Sequence, residues 1–150
     1  VILGILAAVA IPAFTRYVKR SKTSEANQNL QAIFQGETAY YNRSSEIAGA
    51  TATSFVQCAA QPSAVPVGAR VLGDWAQSGW PAIGFASDKA VYYRYSVTTG
   101  GSGGTSANTI DAQGDLDGDM TASTFRRLMT ISSSTSEVEG GAVSVSAELE

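Results

Sequence analysis

A chain of 150 residues with a net charge of −3 at pH 7 is long enough for one domain with a core of its own. It has no histidine and a single cysteine, which removes most catalytic triads, most zinc sites and any internal disulfide. Only 15% of its residues are charged, and they divide unevenly, with five basic against three acidic in residues 1–50 and five against ten in residues 51–150. A basic stem and an acidic head of this kind can attract one another between copies.

The first 14 residues, VILGILAAVAIPAF, are uncharged. The run is as apolar as a membrane span but falls short of the ~20 residues a bilayer requires. Pro12 offers no N–H to the carbonyl of Ala8, and Gly4 weakens a helix eight residues earlier, so the segment between them is expected to kink or unwind. Beyond it, Ala26, Leu30, Ile33, Phe34, Glu37, Tyr40 and Tyr41 recur at three- and four-residue spacing, while Lys22, Glu25, Asn29 and Gln31 lie off that line. The pattern predicts one helix from Val1 to about Asn42. At ~1.5 Å per residue it is roughly 60 Å long, about twice the width of a domain built from the rest, so its first half must project.

From Arg43 to Gly79 prolines and glycines punctuate the chain, predicting an irregular connection with one short helix or hairpin, pinned to the helix by Phe55, Val56, Val65 and Leu72. Cys58, within it, reads as a small buried apolar residue. Strands are expected next. Ala82–Ser87 is short and β-compatible. Val91–Val97 alternates, with Val91, Tyr93, Tyr95 and Val97 on one face. Thr98–Asn108 reads as a flexible loop, Thr109–Gln113 and Ser123–Ile131 as strands, and SSSTSEVEGG as a turn-rich excursion. Ala142–Glu150 is expected to turn Val143, Val145, Ala147 and Leu149 to one face. One buried face and one wet face imply an antiparallel sheet, here of about four strands, whose only long amphipathic cover is the helix. The fold class is α+β.

The segment GILAAVAIPAF (Gly4–Phe14), followed by RSKTSEANQNLQAI on an amphipathic helix, resembles the stem of type IV pilins and type II secretion pseudopilins over about residues 1–40. The later GDLDGD…STF run (Gly114–Phe125) is similar to head domains of some Gram-negative pilins. The resemblance implies that the mature chain begins some ten apolar residues earlier, after a leader cut by the prepilin peptidase. With those residues the apolar stretch reaches ~24 residues, enough to span a membrane. It further implies a hydrophobic stem at 1–22 and a globular head at 23–150. Ile2, Leu3, Gly4, Leu6, Val9, Ile11, Pro12 and Phe14 then pack the core of a filament of identical subunits. The stretch between Gly4 and Pro12 unwinds on assembly.

Arg16, Lys19, Arg20 and Lys22, just past the apolar run, are candidates for pairing with acidic subunit surfaces or anionic lipid headgroups; a solvated helix turn is the alternative. Asp115, Asp117 and Asp119 alternate like the opening of a calcium loop, but the distal glutamate of that motif would fall near Arg126, so the full motif fails; an Asp-Gly hairpin turn is the alternative. The function implied is a structural subunit of an extracellular type IV pilus, serving adhesion, motility or DNA uptake, and not an enzyme. The subunit waits in the inner membrane and is handled by the assembly machinery. No cofactor, apart from candidate calcium, and no specific nucleic acid is expected. The other reading is a pseudopilin in a short periplasmic piston.

Overall fold

A computed structural model describes residues 2–48 and 54–147. Helix α1 runs from Ile2 to Ala48, 47 residues that extend past the expected end at Asn42 and pass through Pro12 without a break. At ~1.5 Å per residue this is about 70 Å. The apolar periodicity places the core stripe correctly: Ala26, Leu30, Ile33, Glu37 and Tyr41 are at most 1% exposed, with Phe34 and Tyr40 packed beside them. The first buried residue of α1 is Thr23, and the preceding turns are exposed or half-exposed wherever their side chains are described.

The described residues form an antiparallel sheet of six strands instead of about four: β1 (Cys58–Gln61), β2 (Arg94–Gly100), β3 (Ala107–Gly114), β4 (Ser123–Ile131), β5 (Val138–Gly140) and β6 (Ser144–Ser146). The order is β1-β2-β3-β4-β5, with β6 on the other half of β4. Thus β5 pairs with Met129–Ile131 and β6 with Thr124–Arg126. Register lines up Tyr95 with Ala112 and Ala112 with Phe125, so the alternating apolar residues share the face that α1 covers. Val91, Tyr93, Tyr95 and Val97 are all buried, as are Ile110, Ala112, Phe125 and Met129.

Several expectations need correction. The extra strands, CAAQ and VEG, are too short to show alternation and arise from segments read as irregular connection and turn. The expected loop Thr98–Asn108 is ladder at both ends: β2 continues to Gly100, a 3-10 turn occupies Gly103–Thr105, and β3 starts at Ala107. Ala82–Ser87 is no strand. Pro81 has no N–H for a ladder, and Gly84, at φ +68°, takes part in a turn in which the Phe85 N–H donates to the Trp80 carbonyl. Its Ile83 and Phe85 still enter the core. Phe55 and Val56 pin the connection as expected, but Leu72 is 69% exposed. β6 lies at a sheet edge without a covering layer, so Val145 is 45% exposed and Ala147 is exposed, while only Val143 packs on the core. Leu149 lies outside the described residues.

One end of the core is closed by an aromatic cluster that the connection supplies. Trp75 meets Trp80 and Phe85 edge-on at 5.1 Å each, and Phe85 approaches Tyr95 at 6.2 Å. The Trp80 indole N–H donates to the Ala59 carbonyl at 2.9 Å, which satisfies a fully buried donor.

Candidate assembly surface and stem–head junction

The first turns of the stem present apolar side chains to solvent. Leu3, Leu6, Val9, Ile11, Phe14 and Tyr17 are each 61–82% exposed. Small residues stand between them: Gly4, Ala7, Ala8, Ala10 and Ala13 are exposed, and Gly4 has nothing within 4 Å of where a Cβ would be. Pro12 is exposed too, and the Thr15 hydroxyl donates to the Ile11 carbonyl at 2.6 Å beside it. Of the eight residues expected to pack a filament core, seven present open surface along this rod; the Ile2 side chain lies outside the described residues.

The four basic residues after the apolar run do not act as one group. Lys19 donates to Asp117 at 2.7 Å, which holds that carboxyl below its usual range. Lys22 lies over the Tyr92 ring at 4.7 Å, and the Arg70 guanidinium lies over the same ring at 4.6 Å. Glu25 accepts the Tyr92 N–H at 2.7 Å and stands 3.8 Å from Arg70, while partial burial moves its carboxyl above the usual range. Arg16 and Arg20 are exposed and, among the described residues, take part in no ion pair. Sequence reading missed Arg70 and Tyr92, because contacts 45 and 67 positions from Glu25 leave no local signal.

These groups, with Phe14, Tyr17, Val18, Ser21, Ser24 and Gln28, line an open groove of about 590 Å3 where the stem enters the head. Its chemistry is two cations held on a ring, a carboxylate already accepting a backbone N–H, and apolar stem side chains. Such a groove suits a polypeptide segment that carries negative charge.

The three aspartates converge as their spacing suggested, with carboxylate oxygens within 4.8 Å of one another. Each has a partner in the chain. Buried Asp115 accepts the N–H groups of Gly118 and Met120 at 2.7 and 3.1 Å, Asp119 accepts the Thr121 N–H at 2.7 Å, and Asp117 binds Lys19. Gly118, at φ +81°, supplies the left-handed step the turn needs. The same three carboxylates are the set that could hold a hard cation, which would have to compete with Lys19.

Further along α1, Glu37 is fully buried and accepts the Val56 N–H at 3.1 Å. Burial pushes its carboxyl up to about 7, against the smaller opposing pull of that N–H and of the Asn108 amide. The same environment, with Glu37 nearby, pushes the buried Cys58 thiol up to about 12, which keeps it an unreactive apolar group.

A long helix whose N-terminal half stands free and whose C-terminal half crosses an antiparallel sheet is the α+β architecture of the type IV pilins. A stretch of 41 residues is 46% identical to the Type IV major pilin protein PilA of Myxococcus xanthus (strain DK1622), covering 27% of this chain and 19% of that protein. The chain therefore matches about a fifth of that relative's length. No protein-family model matches the chain, and no solved structure does. Over that stretch the chain is similar to a type IV major pilin, and its long helix over an antiparallel sheet fits the pilin fold.

Proposed function

We propose that this chain is the structural subunit of a type IV pilus and polymerises through its apolar stem. The reading is carried by one observation: six large apolar side chains, Leu3 to Tyr17, stand 61–82% exposed along one rod. A helix that is apolar all round rests in lipid or among like helices. Among the described residues no helix is long and apolar enough to cross a membrane. The division that follows is a stem at 1–22 and a displayed head at 23–150. Gly4 and the stem alanines allow close helix approach, and Leu3, Leu6, Val9 and Ile11 interdigitate. The subunit waits in the inner membrane and ends at the cell surface, where adhesion, motility and DNA uptake are the uses open to such a filament.

The test is electron microscopy of producing cells, with the chain identified in sheared filaments. Long filaments of this protein are expected, and replacing Leu6 and Val9 by Asp in the full chain removes them. An intact chain that persists as a water-soluble monomer, with no polymer containing it, overturns the proposal. Short periplasmic assemblies linked to protein secretion would replace it with the pseudopilin reading.

A further inference from the structure

The groove at the stem–head junction calls for an occupant, and the fold carries a complementary segment at its opposite end. Helix α1 and β4 run alongside each other from junction to far end. Near the junction Lys19 meets Asp117, and Ser123, at the start of β4, hydrogen-bonds the Gly114 carbonyl at 2.9 Å. Midway, Arg127 hydrogen-bonds Gln31 and covers the Phe34 ring at 3.8 Å. At the far end Ile131 pairs with Val138.

The β4–β5 turn therefore crowns the head. It is closed by the Ser132 N–H donating to the Glu137 carbonyl and the Ser136 N–H to the Ser132 carbonyl, both at 2.8 Å. Glu137 and Glu139 flank it. Both are exposed, and among the described residues neither makes an ion pair. At the junction the groove presents Lys22 and Arg70 on Tyr92 against the single carboxylate of Glu25. The aspartate turn does not line the groove, and it is neutralised in part by Lys19.

In a polar filament every copy points the same way. The stem runs on for about 20 Å past the groove, at ~1.5 Å per residue, which leaves room beside the junction for the crown of another copy. Resting on the filament reading above, we infer that the junction groove receives the β4–β5 turn of a second copy, with Glu137 and Glu139 pairing to Lys22 and Arg70 across the Tyr92 ring. The two surfaces differ, so the contact is heterologous and propagates as an open helix instead of closing into a dimer. It gives the heads an axial register that interchangeable apolar stems do not specify.

The test uses filaments sheared from cells that express the full chain with Ser21→Cys and Ser134→Cys, two exposed positions; the native Cys58 is buried. Mild oxidation is expected to give a ladder of covalently linked subunits, absent from either single variant. Independently, Lys22→Glu with Arg70→Glu lowers filament yield about tenfold or more, and adding Glu137→Lys and Glu139→Lys restores it to within about twofold. If the unaltered chain makes no filaments, the pilus reading itself falls. If the double-cysteine chain makes filaments but no ladder, this contact is overturned while the pilus reading stands.

Discussion

Glu37 is the residue at which pH acts on this head. Its unfolded carboxyl titrates near 4.5 and its folded one at about 7, because burial disfavours the ion more than the Val56 N–H favours it. Its contribution to stability is complete below pH 4.5 and is lost as pH rises through 7. Glu37→Gln keeps an acceptor for Val56 and removes the charge. We expect it to stabilise the head at pH 8 by up to about 3 kcal/mol and to change little at pH 4, as read from denaturant midpoints at the two pH values. Gly36 matters for a different reason. A methyl group there would collide with the Ile83 carbonyl, which packs directly on the helix backbone. Gly36→Ala should destabilise by about 1–3 kcal/mol in spite of its better helix propensity, measurable as a lower Tm.

At the scale of the element, α1 is one continuous helix with two different physical halves. From Thr23 onward tertiary packing holds it, and Leu30 and Ile33 are fully buried against the sheet. Leu30→Ala is expected to cost about 2–5 kcal/mol in chemical denaturation, the range for a cavity that its neighbours fill only in part. Toward its N-terminus the stem relies on its own backbone bonds, its described contacts with the head beginning at the groove residues Phe14 and Tyr17 and at Lys19 and Lys22, and Pro12 removes the bond that would reach Ala8. The free chain is helical through this stretch; in the filament we expect Gly4 to Pro12 to lose helical bonding. A filament reconstruction with unbroken i to i−4 bonding from Ile2 to Phe14 would reject that expectation. The sheet is asymmetric in a similar way. β2, β3 and β4 carry the long ladders, whereas β1, β5 and β6 are short edges of three or four residues. Short edges limit unplanned strand pairing between heads.

For the whole molecule, the proposed filament has two separable sources of assembly free energy, the stem and the junction. Stem burial is apolar and little affected by salt. The junction contact is charged and exposed at its rim, so it weakens as the screening length shrinks. Filaments should therefore loosen in axial register without dissolving when salt is raised to about 1 M, where the Debye length is ~3 Å. Diffraction or image analysis of filaments at low and high salt measures this as broadened helical order at unchanged filament mass. Loss of the filaments themselves at high salt would assign the dominant contact to charge instead of to the apolar stem.

The sequence alone determined the elements whose signal is local. The apolar run of 1–14 follows from its continuous lack of charge; the helical stripe through Ala26, Leu30, Ile33, Glu37 and Tyr41, the alternation at Tyr93, Tyr95 and Val97, and the strand Ser123–Ile131 follow from patterns that side-chain burial imposes residue by residue. The tight turn at 115–119 was legible from a different local signal, the Asp-Gly step at Gly118. Tertiary structure alone decided what long-range pairing creates. The edge strands Cys58–Gln61 and Val138–Gly140 exist because a neighbouring strand supplies their hydrogen bonds, and four or fewer residues carry too short a pattern to read. The meeting of Lys22, Arg70 and Tyr92, and the engagement of Lys19 by Asp117, depend on loops that fold back across most of the chain. No spacing rule encodes such a return; the closing of the sheet over the helix brings those residues together.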